Sequence, residues 1–175
     1  MNLLLCCAVV GLLGFSLVGC TNAVAVGAPP EPSESDWAAV KSLVEDFGTR
    51  LRMVPLLAPK DIVSRSMEEN YGDLVSPALL QEWQEDPANA PGRHLSSPWP
   101  DRIEITDLEE SSAGKYQVKG EIIEVTSVEK ASGGAAAKRP VVLIVKMSGD
   151  RWLINEVTLG DYGETTLVVY CELAH

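Results

Sequence analysis

The sequence predicts an α+β domain, with N-terminal helices packed on a curved antiparallel sheet, preceded by a signal peptide and a linker. Three observations predict it. Apolar residues recur at steps of three and four through residues 37–83, the period of helices that bury one face. From residue 102 the period falls to two, as in strands covered on one side. No internal repeat interrupts the order of helices then strands, which is the order of a layered α+β domain. The division is residues 1–19, a signal peptide; 20–35, a cysteine and linker; and 36–175, one domain.

From Met1 to Cys20 there is no Asp, Glu, Lys or Arg, and most positions are Leu, Val, Ala, Gly or Phe. An apolar run at the very N-terminus is an export signal. A membrane-spanning anchor is the alternative, since about 20 apolar residues cross a bilayer. The run ends Leu17-Val18-Gly19-Cys20, which resembles the lipobox of bacterial lipoproteins. That resemblance implies that the Cys20 thiol receives a diacylglyceryl group, that Leu17, Val18 and Gly19 belong to the recognition signal, and that the chain is cut before Cys20. The lipid membrane is then a partner through acylated Cys20, and the protein sits in the bacterial cell envelope on the extracytoplasmic side. Acyl burial contributes about 0.8 kcal/mol per CH2 and one chain holds only marginally; the family's cysteine carries at least two.

Residues 21–35 carry Pro29, Pro30 and Pro32 among small residues with no apolar period, so they form a linker with nothing to pack. Extended, it spans up to about 50 Å. A helix follows, with Trp37, Val40, Val44, Phe47, Leu51 and Val54 on one face. Ser35 and Asp36 suit its start, Arg50 and Arg52 its end, and Pro55 stops it. A second helix begins at Pro59 in the first turn, turns Ile62, Val63, Met67 and Tyr71 inward, and closes on Gly72 in a left-handed cap. A third has Ser76 as N-cap and Pro77 at the first position, with Leu79, Leu80 and Trp83 inward. Residues 86–101, with Pro87, Pro91, Pro98 and Pro100, predict a long irregular loop of the kind that carries function or wraps a core.

The strands come next. Ile103 to Thr106 alternate, and Ser111 to Gly114 make a turn. A strand from Tyr116 to about Val128 changes phase: Tyr116, Val118, Gly120 and Ile122 share one face, whereas Ile123 and Val125 share the other. One buried face then requires a bulge. Residues 131–139, with Gly133 and Gly134, predict a flexible loop. Val141 to Val145 are apolar on both faces, as in a strand buried on both sides. Gly149 and Asp150 turn the chain into Trp152–Val157, and residues 160–175 supply an edge strand through Tyr170.

The order of helix, helix, short Ser-Pro-led helix, loop and bent strands ending Gly149-Asp150-Arg151-Trp152-Leu153-Ile154 is similar to the nuclear transport factor 2-like fold, over roughly residues 35–159. The resemblance implies a cystatin-like cone with a pocket between sheet and helices, an enzyme site in some members and a binding site in others. Isomerase and dehydratase members place Asp or His in that pocket for proton transfer.

Composition excludes some functions. With 14 Lys and Arg against 25 Asp and Glu, net charge −11, the chain repels phosphate backbones, so nucleic acid is not a partner. Cys6 and Cys7 lie in the signal and Cys20 is lipidated, leaving Cys171 beside Glu172, a small buried hydrophobe. No metal ligand set, calcium-loop spacing, Gly-rich phosphate loop or nucleophile motif is present, so no cofactor, metal or catalytic residue is assigned. His94 and His175 are the histidines. Glu121, Glu124 and Lys146 alternate with apolar neighbours and point away from the core. Asn155 and Glu156 interrupt the last strand, and one of them faces a cavity if a second bulge lies there. Trp37, Trp83 and Trp152 belong to the core. Trp99 in the loop either plugs the cone or joins Arg93 and His94 at a binding rim. The function expected is non-catalytic binding of an unidentified protein or small-molecule ligand, with a small-molecule isomerase, dehydratase or hydrolase as the alternative.

Overall fold

The computed structural model describes residues 34–163. The Leu17–Cys20 motif, Cys171, His175 and all but residues 160–163 of the edge strand expected from residues 160–175 lie outside them. Within them the architecture is α+β: three helices, then a four-stranded antiparallel sheet in the order β1-β2-β3-β4. The strands are β1 Trp99–Ser112, β2 Lys115–Val125, β3 Ala137–Ser148 and β4 Arg151–Leu159.

Helix α1 spans Glu34–Arg50 and runs on into a 3-10 turn at Leu51–Met53. Glu34 and Ser35, read as linker, are already helical, because Glu34 and Asp36 place negative charge at the positive end of the dipole. The inner face is Val40, Val44 and Phe47, all with no exposure. Trp37 departs from that face. It is 43% exposed, and its ring lies 5.7 Å from Lys41 Nζ. Gly48 lets α1 settle on the sheet, since a Cβ there would stand 2.5 Å from the Ile103 backbone nitrogen.

Helix α2 spans Lys60–Tyr71 with Pro59 as its N-cap rather than its first residue. Val63, Met67 and Tyr71 are buried as the period predicts, whereas Ile62 stands at the exposed border of that face. Gly72 is not the left-handed cap expected. Its φ is −57°, and its N–H still bonds the Glu68 carbonyl, so the helical bonding continues through it. Helix α3 spans Pro77–Glu85, with Ser76 accepting from the Leu79 N–H and Pro77 in the first turn. Each helix contributes one large ring to the core. Phe47 and Tyr71 have centroids 5.1 Å apart, Tyr71 and Trp83 5.8 Å, and Phe47 and Trp83 6.2 Å.

Residues 86–101 are less irregular than their prolines imply. Pro87–Asn89 form a 3-10 turn, Arg93 exchanges backbone bonds with Val54 and Leu56, and β1 begins at Trp99. The Tyr71 hydroxyl donates to the Pro91 carbonyl at 2.8 Å and ties the segment to the core. Burial pushes that phenol's pKa well up, so it stays a neutral donor.

Strand β2 alternates without interruption, and no residue is inserted in it. The register shifts fall on its partner, between Pro100 and Arg102, Ile105 and Asp107, and Glu110 and Ser112 of β1, while β2 pairs with β3 without interruption. Ile122 joins the main core; Ile123 and Val125 are buried on the opposite face. The strand ends at Val125, not near Val128, because Thr126 and Glu129 form a capping box that starts a helix α4, Ser127–Ser132, closed by left-handed Gly133. The loop expected at residues 131–139 thus shrinks to residues 133–136, between the end of α4 and the start of β3. In β3, Val141, Leu143 and Val145 are buried, but Val142 and Ile144 are only half-buried, so the strand has one core face rather than two.

The β1 bulge aims Asp101 at α4. The carboxylate, 7% exposed, accepts from Lys130 Nζ at 2.7 and 3.0 Å and from Arg102 at 3.2 Å. Burial raises its pKa, but the bonds and charge of Lys130, with those of Arg102, outweigh that and leave it below the ordinary value. A depressed folded pKa contributes stability that is present above the unfolded value, about 3.9, and is lost as pH falls through the folded one. Asp101→Asn therefore lowers stability at pH 7 by about 1 kcal/mol, Lys130 being half in solvent. It also makes the acid limb of stability against pH shallower. Denaturant midpoints for both chains from pH 7 to pH 2 check this, and identical acid limbs would contradict it.

Candidate functional site

A cavity lies at the outer edge of β4. The α2–α3 connection pairs with β4 at one point. Ile154 donates to Leu74 at 2.9 Å and accepts from Ser76 at 2.8 Å, a parallel bridge centred on Val75. Ser76 then caps α3, and Pro77 lacks the N–H that a longer ladder would need, so the chain leaves the strand edge as a helix. On β4 the next residue, Asn155, is the extra residue of a bulge: Val145 faces Ile154 and Ile144 faces Glu156. Pairing on one side and register on the other thus change at the same place. Beyond it a cavity of about 460 Å³ opens between α3 and β4.

Leu79, Glu82 and Trp83 of α3, Ala88 and Asn89 of the 3-10 turn, Arg139 of β3 and residues 155–159 of β4 line it. The wall is therefore part apolar and part polar, with Trp83 shared between cavity and core. Asn155 Oδ1 is buried and has no hydrogen-bond partner among the described residues. Such a group costs about 1–3 kcal/mol if left unsatisfied. Arg139 stands opposite Ile122 and so on the core face. Its Nε donates to the Gly160 carbonyl at 2.8 Å, and its guanidinium lies 5.2 Å from the centroid of the Tyr162 ring. Tyr162 donates to Glu124 at 2.7 Å; burial first, then that bond, pushes its phenol pKa up to about 12.

The five residues singled out from the sequence do not gather. Asn155 and Glu156 line the cavity, on the bulge considered for them. Glu156 does so from the strand edge, for it lies opposite Ile144 on the other face, and its carboxylate is 3.2 Å from Lys146 Nζ. Arg93, His94 and Trp99 lie away from this lining. Arg93 is held by the backbone pairing with Val54 and Leu56, its Nε buried and without a partner among the described residues, and His94 is exposed. Trp99 is not a loop residue. It is half-buried in β1 opposite Val125, on the face turned away from the main core, so it neither plugs this cavity nor rims it. The physical reason is the Asp101 bulge, which reverses the facing of β1 before Ile103.

The sequence reading passed over Arg139, Asn89 and Trp83 as lining residues. Arg139 was legible: Arg139, Val141, Leu143 and Val145 continue one alternation, which puts the Arg on the core face. Trp83 was assigned to the core, correctly, but a ring that also walls a cavity has no separate sequence signal.

A second depression, about 570 Å³, lies along β1 and is lined by Lys41, Glu45, Thr49 and residues 102–105. It is larger but weaker as a site. Arg102 is already paired with Glu104, and Lys41 with Glu45 at 3.8 Å. Among the described residues no cluster of His, Cys, Asp or Glu is arranged to hold a metal, and no helix is long and apolar enough to cross a membrane. No family model matches the chain, and no curated protein matches its sequence.

Among the described residues, Asn155 Oδ1 adds no hydrogen bond to the fold. Asn155→Leu, close in volume and free of polar atoms, should leave the denaturant midpoint unchanged or raise it by up to about 1 kcal/mol equivalent. A loss above about 2 kcal/mol would show instead that the amide holds the bulge.

Proposed function

We propose that this protein is an extracytoplasmic lipoprotein, anchored to the cell-envelope membrane through acylated Cys20, whose single domain binds a ligand without transforming it. The ligand, a small molecule or a protein segment, occupies the cavity between α3 and β4. The observation that carries this reading is the composition of that cavity. It sets an apolar wall of Leu79, Trp83, Val157 and Leu159 against the polar residues Glu82, Asn89, Arg139, Asn155, Glu156 and Thr158, so a guest there meets both apolar surface and several groups able to orient it.

Binding is favoured over turnover because the carboxylates at the cavity are poorly placed for acid–base chemistry. Glu82 is exposed to solvent, and Glu156 pairs with Lys146 on the other face. A proton-transfer carboxylate needs a desolvated position within hydrogen-bond reach of its substrate. The nuclear transport factor 2-like fold is proposed as the superfamily. Helices before a bulged antiparallel sheet, and a cavity between the two layers, support it. The acidic surface leaves attachment to the N-terminal lipid rather than to a basic patch.

Fatty-acid labelling and crosslinking in whole cells test both halves. Label on the wild-type chain that is absent from Cys20→Ala, with Cys6→Ala and Cys7→Ala still labelled, is the expected pattern; label persisting on Cys20→Ala would sink the anchor. A photo-crosslinker at position 89 should give a discrete adduct, and one at position 109 none. Equal adducts at both positions would remove the cavity as the binding site. Turnover of any small substrate, abolished by Glu82→Gln with the melting curve intact, would replace binding with catalysis.

A further inference from the structure

We propose that the end of the domain built from residues 47–60 and 87–100 is its membrane-facing surface, resting on an anionic bilayer through Met53, Leu57 and Leu95. The inference rests on the lipoprotein reading for the presence of that bilayer. The lipid attaches the chain; this end decides which way round the tethered domain stands.

The first observation is a gap in the negative charge. A chain with 25 Asp and Glu has none of them in residues 47–60 and none in residues 87–100. The fold joins these two stretches. The Leu56 N–H donates to the Arg93 carbonyl at 3.0 Å, and the Arg93 N–H donates to the Val54 carbonyl at 2.9 Å. Arg50 is paired with Asp46 and Asp73, whereas Arg52, Lys60 and His94 stand exposed. Residues 130–149 are also free of acids, but there Lys130, Lys138 and Lys146 are each paired with a carboxylate on a neighbouring strand. An acidic body held near an anionic surface is repelled by it, and turns its acid-free, basic end towards that surface.

The second observation is apolar surface at the same end. Pro55 and Arg93 form a parallel bridge, and two residues on from each stand Leu57, 73% exposed, and Leu95, also exposed. Met53, exposed too, comes just before the pairing. The Ala58 N–H donates to the Pro55 carbonyl at 3.0 Å, so Leu57 sits in a turn held by backbone bonds and little further entropy is lost in presenting it. Elsewhere, exposed apolar side chains adjoin acids: Trp37 follows Asp36, Ile62 follows Asp61, Val128 precedes Glu129 and Tyr162 follows Asp161. Three side chains fall well short of the roughly 800 Å² per partner that a stable protein interface buries. Entry into the headgroup boundary needs no such area, and a chain already anchored needs only a weak second contact. Extended, the chain from Cys20 to Glu34 reaches up to about 50 Å, whereas α1 and its 3-10 turn rise about 30 Å. The tether is therefore long enough for the far end of α1 to meet the bilayer.

The lipid-anchored full chain, reconstituted into vesicles of phosphatidylglycerol and phosphatidylcholine, tests the orientation. A solvatochromic amino acid replaces Leu57 in one chain and Val128, 71% exposed, in another, and the vesicles carry a quencher at headgroup depth. The probe at position 57 should be quenched at least about 3-fold more than the probe at 128. Met53→Asp together with Leu95→Asp should abolish that excess; both residues are exposed, so the fold tolerates the change. Equal quenching at 57 and 128 in a chain that floats with the vesicles would overturn the proposal and leave the lipoprotein reading standing. A chain that does not float with them would overturn both. Shielding of position 57 that appears only when envelope proteins are added would give this end to a protein partner, and would overturn the membrane contact.

Discussion

The contact on which the rest depends is the cluster of Phe47, Tyr71 and Trp83, one ring from each of the first three helices. Short helices gain most of their stability from packing rather than propensity, and α3 has only nine residues. With its own caps alone it would be marginal. Trp83 gives it a place, edge-on to Tyr71 and nearly parallel to Phe47. Tyr71 extends the cluster outward by holding the Pro91 carbonyl, which keeps residues 87–93 against the helices. Because Trp83 also walls the cavity, the same ring that fixes α3 sets the distance between α3 and β4.

The sheet meets the helices through local irregularities more than through regular pairing. Gly48 allows α1 to approach Ile103, and Gly120 allows β2 to approach the Glu104 carbonyl, where a Cβ would stand 2.7 Å away. Register shifts on β1 turn its facing and bring Asp101 to Lys130. The Asn155 bulge on β4 does the same for the cavity. Bulges re-aim side chains and bend the sheet, and here one bulge places an ion pair while another places an unpartnered amide. The first is satisfied within the chain; for the second, Asn155 Oδ1 has no partner among the described residues.

Much of this was legible from periodicity. The inner faces of α1, α2 and α3 and the core face of β3 follow from steps of three, four and two. The misses have physical causes. Helix α4 was hidden because six residues cannot show a period, although Thr126 and Glu129 at capping-box spacing announce it. The phase change in β2 was read as a bulge in that strand, but β2 alternates without interruption and is simply buried on both faces from Ile122 to Val125; the inserted residues belong to β1. Trp99 went with the prolines around it, since X-Pro-rich segments look irregular whether or not they pair. At the site, Asn155 stood out because a polar residue broke an apolar strand. The cavity itself depends on α3 lying beside β4, a long-range relation that no local pattern contains.

The central claim is that the three rings act together to hold α3 against α1. A double-mutant cycle on Phe47→Leu and Trp83→Leu measures it directly, by denaturant unfolding of wild type, both single variants and the pair. The account predicts a coupling of about 0.5–1.5 kcal/mol between the two positions. Losses that simply add, within about 0.3 kcal/mol, would mean that each ring only fills space, and that α3 is held where it is by something other than the cluster.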